Sequence, residues 1–174
     1  MQRYAGFTLA ELIVVIAVLA LAAAVAIPGY LGWLPDIRLS SMIRNLKSDL
    51  ALARQRAIRE NGQVAVVFDI PNNRYTIFVD NGAGDGNAND WERHADEAEI
   101  KTITLPEDVT MYAAAFAGGS PRIRFDGRGL PNGLGGHVYL RNAKRNFRGL
   151  VMTMVGRIRT KISLDGGESW DDAE

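Results

Sequence analysis

His94 and His137 are the two imidazoles of this 174-residue chain, and neither lies in a nucleophile elbow, a zinc-ligand spacing or a phosphate-binding loop. His94 reads as a loop histidine and His137 as a strand residue. The absence of cysteine excludes thiol catalysis, thiolate metal sites and disulfides. Carboxylate acid–base work needs two acids in one pocket. Asp69 and Asp80, at the ends of a predicted hairpin's strands, read equally well as turn residues. The expectation is a protein that is not an enzyme and carries no cofactor. The oxygen-rich stretch DNGAGDGNANDWE (80–92) offers Asp80, Asp85 and Asp90 as weak calcium ligands. It departs from the EF-hand pattern and reads first as a surface loop.

A different chemistry attaches to Glu11. From Phe7 to Ile27 the polar side chains are Thr8 and Glu11 alone, in a run long enough for a helix to cross a ~30 Å hydrocarbon core. A charge near the centre of such a helix costs about 2.5–3.5 kcal/mol and usually marks a functional pairing. The run contains no cation, but an α-amino group created by a cut before Phe7 would supply one at the right depth. Two other readings compete. The small residues ALAAAVA (20–26) suit a secretory signal peptide, against which stand a weak basic leader (Arg3) and the acid itself. A plain transmembrane anchor leaves Glu11 unexplained.

Charge is balanced overall, twenty basic against twenty acidic residues, but segregated along the chain. Between 66 and 110 acids predominate; between 122 and 161 Asp126 is the one acid among Arg122, Arg124, Arg128, Arg141, Lys144, Arg145, Arg148, Arg157, Arg159 and Lys161; the last ten residues are acidic again. Opposite patches could register neighbouring subunits. Equally, arginines on strands and hairpin tips could neutralise phosphates, giving salt-dependent nucleic-acid binding. Along a strand, Arg157 and Arg159 share a face.

The elements that position these residues follow from periodicity. Pro28, Gly29, Gly32 and Pro35 predict a kink or loosened turn where the apolar helix would leave a bilayer, and Tyr30 and Trp33 there suit either the headgroup region or packing on the head. Leu39, Ile43, Leu46, Leu50, Ala53 and Ala57 form one helical stripe that should bury. Arg38, Arg44, Lys47, Arg54, Arg56 and Arg59 occupy the other faces and read as a solvated surface. Asn61-Gly62 stops the helix. From there the period changes to two. Strands are predicted at 64–70, 75–79, 100–105, 109–113, 122–125, 137–141, 149–155 and 157–164. The fold class is α+β: a long N-terminal helix, apolar then amphipathic, on an antiparallel β head.

Gly6-Phe7-Thr8-Leu9-Ala10-Glu11 followed by a long apolar helix resembles the class III signal of type IV pilins and pseudopilins. The resemblance implies cleavage after Gly6 by a prepilin peptidase, N-methylation of Phe7, and pairing of Glu11 with the N-terminal amine of a neighbouring subunit during filament assembly. The order FDGRGLPNG, HVYL, a basic hairpin and GLVMTMVGRIR resembles the GspH/FimT family of minor pseudopilins, almost along the whole chain. It implies a leader (1–6), a transmembrane or filament-core helix (7–29), an amphipathic helix (30–61) and a periplasmic β-rich head (62–174). The chain would sit in the bacterial inner membrane, N-terminus inside, and pass into a type II secretion pseudopilus or a type IV pilus. Its partners would be the peptidase, the other pseudopilins and secreted protein substrates. FimT-like members bind DNA through a Gly-Arg-x-Arg motif, matched by Gly156-Arg157-Ile158-Arg159. The resemblance therefore also implies a DNA-binding alternative using Arg157, Arg159, Lys161, Arg148, Arg145 and Lys144.

Overall fold

The computed structural model describes residues 7–84 and 87–173; of the residues singled out above, Arg3, Gly6 and Asp85 lie outside them. One helix, α1, runs Leu9–Glu60. Two compact units divide the chain between Leu34 and Pro35.

In the first unit the helix is exposed from Leu9 to Leu31, and an 18-residue window reaches a mean hydropathy of 2.8 with none of it buried. The backbone stays helical across Pro28 and Pro35 rather than loosening into a turn. Each proline withholds one ladder donor, from the carbonyls of Ala24 and Leu31, and the surrounding ladder holds.

In the second unit α1 lays down the predicted stripe: Leu39, Ile43, Leu46, Leu50, Ala53 and Ala57 are all buried. The helix ends as a Schellman motif, with Gly62 N–H bonded to Ala57 O (3.1 Å) and Asn61 N–H to Ile58 O (3.2 Å). The left-handed residue there is Asn61 (φ 46°), not the glycine after it.

Among the described residues nine strands follow: β1 (Val64–Asp69), β2 (Arg74–Val79), β3 (Glu99–Thr104), β4 (Val109–Ala115), β5 (Arg122–Phe125), β6 (Gly135–Asn142), β7 (Phe147–Thr153), β8 (Ile158–Ser163) and β9 (Asp171–Asp172). They form two antiparallel sheets, ordered β3-β2-β1-β5 and β4-β6-β7-β8-β9. Eight match predicted strands within a few residues; β9 was not anticipated. A single apolar cluster joins the α1 stripe to Val64, Val66 and Ile77 of the first sheet and Val138, Leu140 and Leu150 of the second. Each fully buried aliphatic side chain contributes roughly 1.5–3 kcal/mol.

Polar bonds fix the register between these layers. Asp49, buried on the helix stripe, accepts from Tyr75 Oη (2.7 Å) on β2 and from Lys101 Nζ (2.7 and 2.9 Å) on β3. Burial, then the Asp49 bond, pushes the Tyr75 phenol far above its usual range, so it stays a donor. Asn73, at the β1–β2 turn, donates to Val109 O (2.7 Å) and accepts from Met111 N–H (2.8 Å), tying the first sheet's hairpin to β4 of the second. Asp49→Ala strips Tyr75 and Lys101 of their acceptor and should cost about 2–4 kcal/mol, whereas Tyr75→Phe should cost about 1–2. Thermal unfolding of the detergent-solubilised chain checks this order; wild-type stability for both variants would show that the helix does not depend on the pair.

Candidate functional site

Two places bring the singled-out residues together, one in each unit. At the helix start, Glu11 and Thr8 form a reciprocal cap. Thr8 N–H and Oγ1–H donate to Glu11 Oε2 (2.9 and 3.0 Å), and Glu11 N–H donates to Thr8 Oγ1 (3.2 Å). This is a capping box, which satisfies two of the orphan donors of the helix N-terminus. The signal was present in the sequence as Thr-x-x-Glu before an apolar run, and reading Glu11 for its charge alone missed it. Both bonds fall on Oε2; among the described residues Oε1 accepts none. The carboxylate can therefore cap its own helix and still face a cation. Phe7 is exposed.

In the head, a groove of about 700 Å³ opens between α1 and the edge of β8. Ser40, Ile43, Arg44 and Lys47 line its helix side, and Arg148 and Arg157–Thr160 the sheet side. Arg159 falls on the strand face opposite the core, since it pairs with Val151 while the buried Leu150 pairs with Thr160; Arg157 lies just before the strand, its carbonyl accepting from Thr153 N–H (3.0 Å). Gly156, which opens the Gly-Arg-Ile-Arg run, has φ +77° in the tight turn after β7, and its carbonyl faces Arg54 Nη1 at 3.5 Å. The turn thus accounts for the glycine on backbone grounds. Arg44 and Lys47, read from sequence as a solvated helix face, are the unexpected members, because only the packing of α1 brings them beside Arg157.

The acidic C-terminal segment borders this groove. Asp172 lies 3.4 Å from Arg159 Nη1 and 2.9 Å from Lys161 Nζ. The Lys161 bond, with the charges of Arg159 and Arg157, holds the Asp172 carboxyl below its usual value. Trp170 stacks on Tyr139 (4.1 Å, 9°), and Tyr139 lies over Gly149, where a Cβ would approach its ring to 2.5 Å.

The remaining predicted basic residues are dispersed. Lys144 and Arg145 sit at the β6–β7 turn, at the far end of β7 from Arg157. Arg128 pairs with Asp126 (3.0 Å), and Arg141 lies over the Tyr112 ring (5.8 Å). Arg124 is buried: it meets Asp80 Oδ2 at 3.1 Å, donates to Asn89 O and Asn89 Oδ1 (2.8 and 2.9 Å), and stacks on Trp91 (3.9 Å). Burial pushes its guanidinium down, with Asp80 opposing.

The loop after β2 is built on protein partners. Asp80 Oδ1 accepts from Asn89 N–H (2.6 Å), and Asp90 accepts from Glu92 N–H (2.9 Å) and faces His94 Nε2 (2.8 Å). Buried Glu97 closes the loop by accepting from Asn81, Gly82 and His94 N–H (2.9, 2.9 and 3.2 Å). Among the described residues no group of three or more His, Asp or Glu could hold a metal ion. Asp69 bonds Asn72 and Arg74 at the opposite end of the hairpin from Asp80, which is turn chemistry.

The sequence profile of the type II transport protein GspH matches residues 42–156, most of the head and the C-terminal third of α1. The chain belongs to the GspH family. Residues 1–27 match the prokaryotic N-terminal methylation motif. A GspH-type chain is a minor pseudopilin, a structural rather than catalytic protein. The fold agrees: the minor pseudopilin EpsH from the type 2 secretion system of Vibrio cholerae superposes with a TM-score of 0.55 at 12% identity, over 72% of this chain and 97% of that one. A crystal structure of the same Vibrio cholerae protein gives 0.46 at 12% identity, over 71% and 95%. A search of curated protein sequences finds no match.

Because Arg124 neutralises buried Asp80 and grips Asn89, Arg124→Met should cost about 3–5 kcal/mol by leaving that carboxylate unpaired. Residues 87–98 should become protease-sensitive well below the global unfolding temperature. Unchanged protection of that segment would show that the loop does not depend on the pair.

Proposed function

We propose that this GspH-family protein is made as a prepilin, cut between Gly6 and Phe7, methylated on Phe7, and held in the bacterial inner membrane with a periplasmic head. From there it enters a type II secretion pseudopilus. The observation that carries the reading is the helix start: an exposed apolar helix opening on a carboxylate with one oxygen uncommitted among the described residues. Once Phe7 is the first residue, its amine is a cation of the same depth in a neighbouring subunit. Pairing two charges that are each costly in hydrocarbon favours one axial register. The apolar helix then packs the filament core, and the head contacts other pseudopilins and secreted protein.

Glu11→Gln keeps most of the cap's hydrogen-bonding capacity and removes the charge. It should be processed and membrane-inserted yet fail to enter sheared filaments, whereas Glu11→Ala should lose the cap as well. Normal incorporation of Glu11→Gln would refute the pairing. Gly6→Val should leave the intact mass unshifted on coexpression with a prepilin peptidase; a shortened product would return the signal-peptidase reading.

A second reading, a FimT-like subunit that binds DNA, is supported by Arg157 and Arg159 lying in one groove with Arg148, Arg44 and Lys47. Lys161 is partly masked by Asp172, and Lys144 and Arg145 lie away from the groove, so they would contribute less. A duplex titration of the detergent-solubilised chain tests it. Affinity should fall steeply with salt and be abolished by Arg157→Ala/Arg159→Ala. No binding at low salt would remove the reading.

A further inference from the structure

The groove beside β8 has an edge as well as charge. β9 covers β8 for two residues, Asp172 opposite Lys161 and Asp171 opposite Ile162, and one more bond runs from Ala173 N–H to Thr160 O (2.9 Å). The strand's period of two turns the N–H and C=O of Ile158 to the same edge, where no described residue meets them. Open strand edges are templates for further pairing.

Cations stand on both sides of that open edge. Arg159 projects from the outer strand face with Arg157 just ahead of it at the turn, while Arg44 and Lys47 stand on the helix and Arg148 on the sheet face turned toward it. Among the described residues no carboxylate lies within ion-pair distance of Arg44, Lys47, Arg148 or Arg157. The acid at the groove mouth, Asp172, is already shared by Arg159 and Lys161.

We propose that this groove docks an extended acidic segment of a partner protein, which adds to β8 in the place of β9 and continues past it to Ile158. The proposal rests on the filament reading only in taking the partner to be a protein. An added strand directs successive side chains to opposite faces, so cations on both sides select consecutive acids rather than alternating ones. The chain's own Asp171-Asp172 is a short instance of that chemistry, seated on the same edge. Its contacts are a two-residue ladder, the Ala173–Thr160 bond and the ion pairs of Asp172, next to the Trp170–Tyr139 stack, a short hold that a longer acidic strand would outcompete. A nucleic-acid strand could meet the arginines but could not extend the main-chain ladder.

The test is an anisotropy titration of the detergent-solubilised full chain with a fluorescein-labelled peptide of six consecutive aspartates flanked by Gly-Ser, together with amide exchange over residues 155–163. Saturable binding that slows exchange in that segment is expected. Arg157→Ala/Arg159→Ala should weaken it at least tenfold and Lys47→Ala several-fold, while Asp171→Asn/Asp172→Asn tightens it. Equal losses from Arg128→Ala, an exposed arginine on another turn, would reduce the effect to net charge and overturn the proposal. So would binding without slowed exchange, or a twenty-nucleotide single strand that binds the groove and is not displaced by the peptide. The assay needs no filament, so a failed co-assembly experiment and a failed titration are separate results.

Discussion

The buried stripe of α1 from Leu39 to Ala57 is the constraint on which the head depends, because residues of both sheets share one apolar cluster with it. Asp49 sits within the stripe and makes the packing directional. An apolar surface alone would tolerate sliding, whereas one carboxylate bonded to Tyr75 and Lys101 sets which turn of the helix faces which strands. Such buried polar contacts are costly to break from one side, so they act as register marks more than as a net source of stability.

The same helix begins in a different solvent. From Leu9 to Leu31 its apolar residues are exposed. After Pro35 its stripe is buried under the sheets. The capping box at Thr8 and Glu11 closes the first end, and the Schellman motif at Asn61 and Gly62 the other. A single element can therefore carry both an anchor and a scaffold, which is what a membrane-held subunit of a filament requires. On the head the consequence is local: Arg44 and Lys47, on the helix face beside the stripe, are carried to the edge of β8 and line one groove with Arg157 there.

Much of this was legible in the sequence wherever a short-range rule governed. The helix stripe, the stop at Asn61-Gly62 and the first eight strands follow from periodicity and turn chemistry, each decided within a few residues. The acid at Asp49 could be seen on the stripe, but its partners lie at Tyr75 and Lys101, on separate strands, and no spacing rule reaches them. The charge run from Arg122 to Lys161 looked like one basic patch. Strand alternation and burial instead took Arg124 inside against Asp80, placed Lys144 and Arg145 at a distant turn, and left Arg148, Arg157 and Arg159 beside a helix whose cations had read as solvated surface. β9 escaped because two acids after a Gly-Gly turn carry no strand signal; its pairing is imposed by the edge of β8. At Glu11 the lone charge in an apolar run dominates a sequence reading, and the Thr-x-x-Glu spacing that caps the helix through Thr8 is the shorter-range signal beside it.

The central claim is that the chain is held by its apolar helix with the whole head on the far side of the inner membrane. Since the sequence has no cysteine, single substitutions give clean reporters: Val18→Cys in the apolar helix, and Glu107→Cys and Leu164→Cys at exposed positions on the head. The measurement is labelling by a membrane-impermeant maleimide in cells whose outer membrane has been opened and whose inner membrane is intact. The account predicts that both head cysteines react and that Val18→Cys stays protected until detergent is added. Head cysteines that react only after the inner membrane is broken would contradict it.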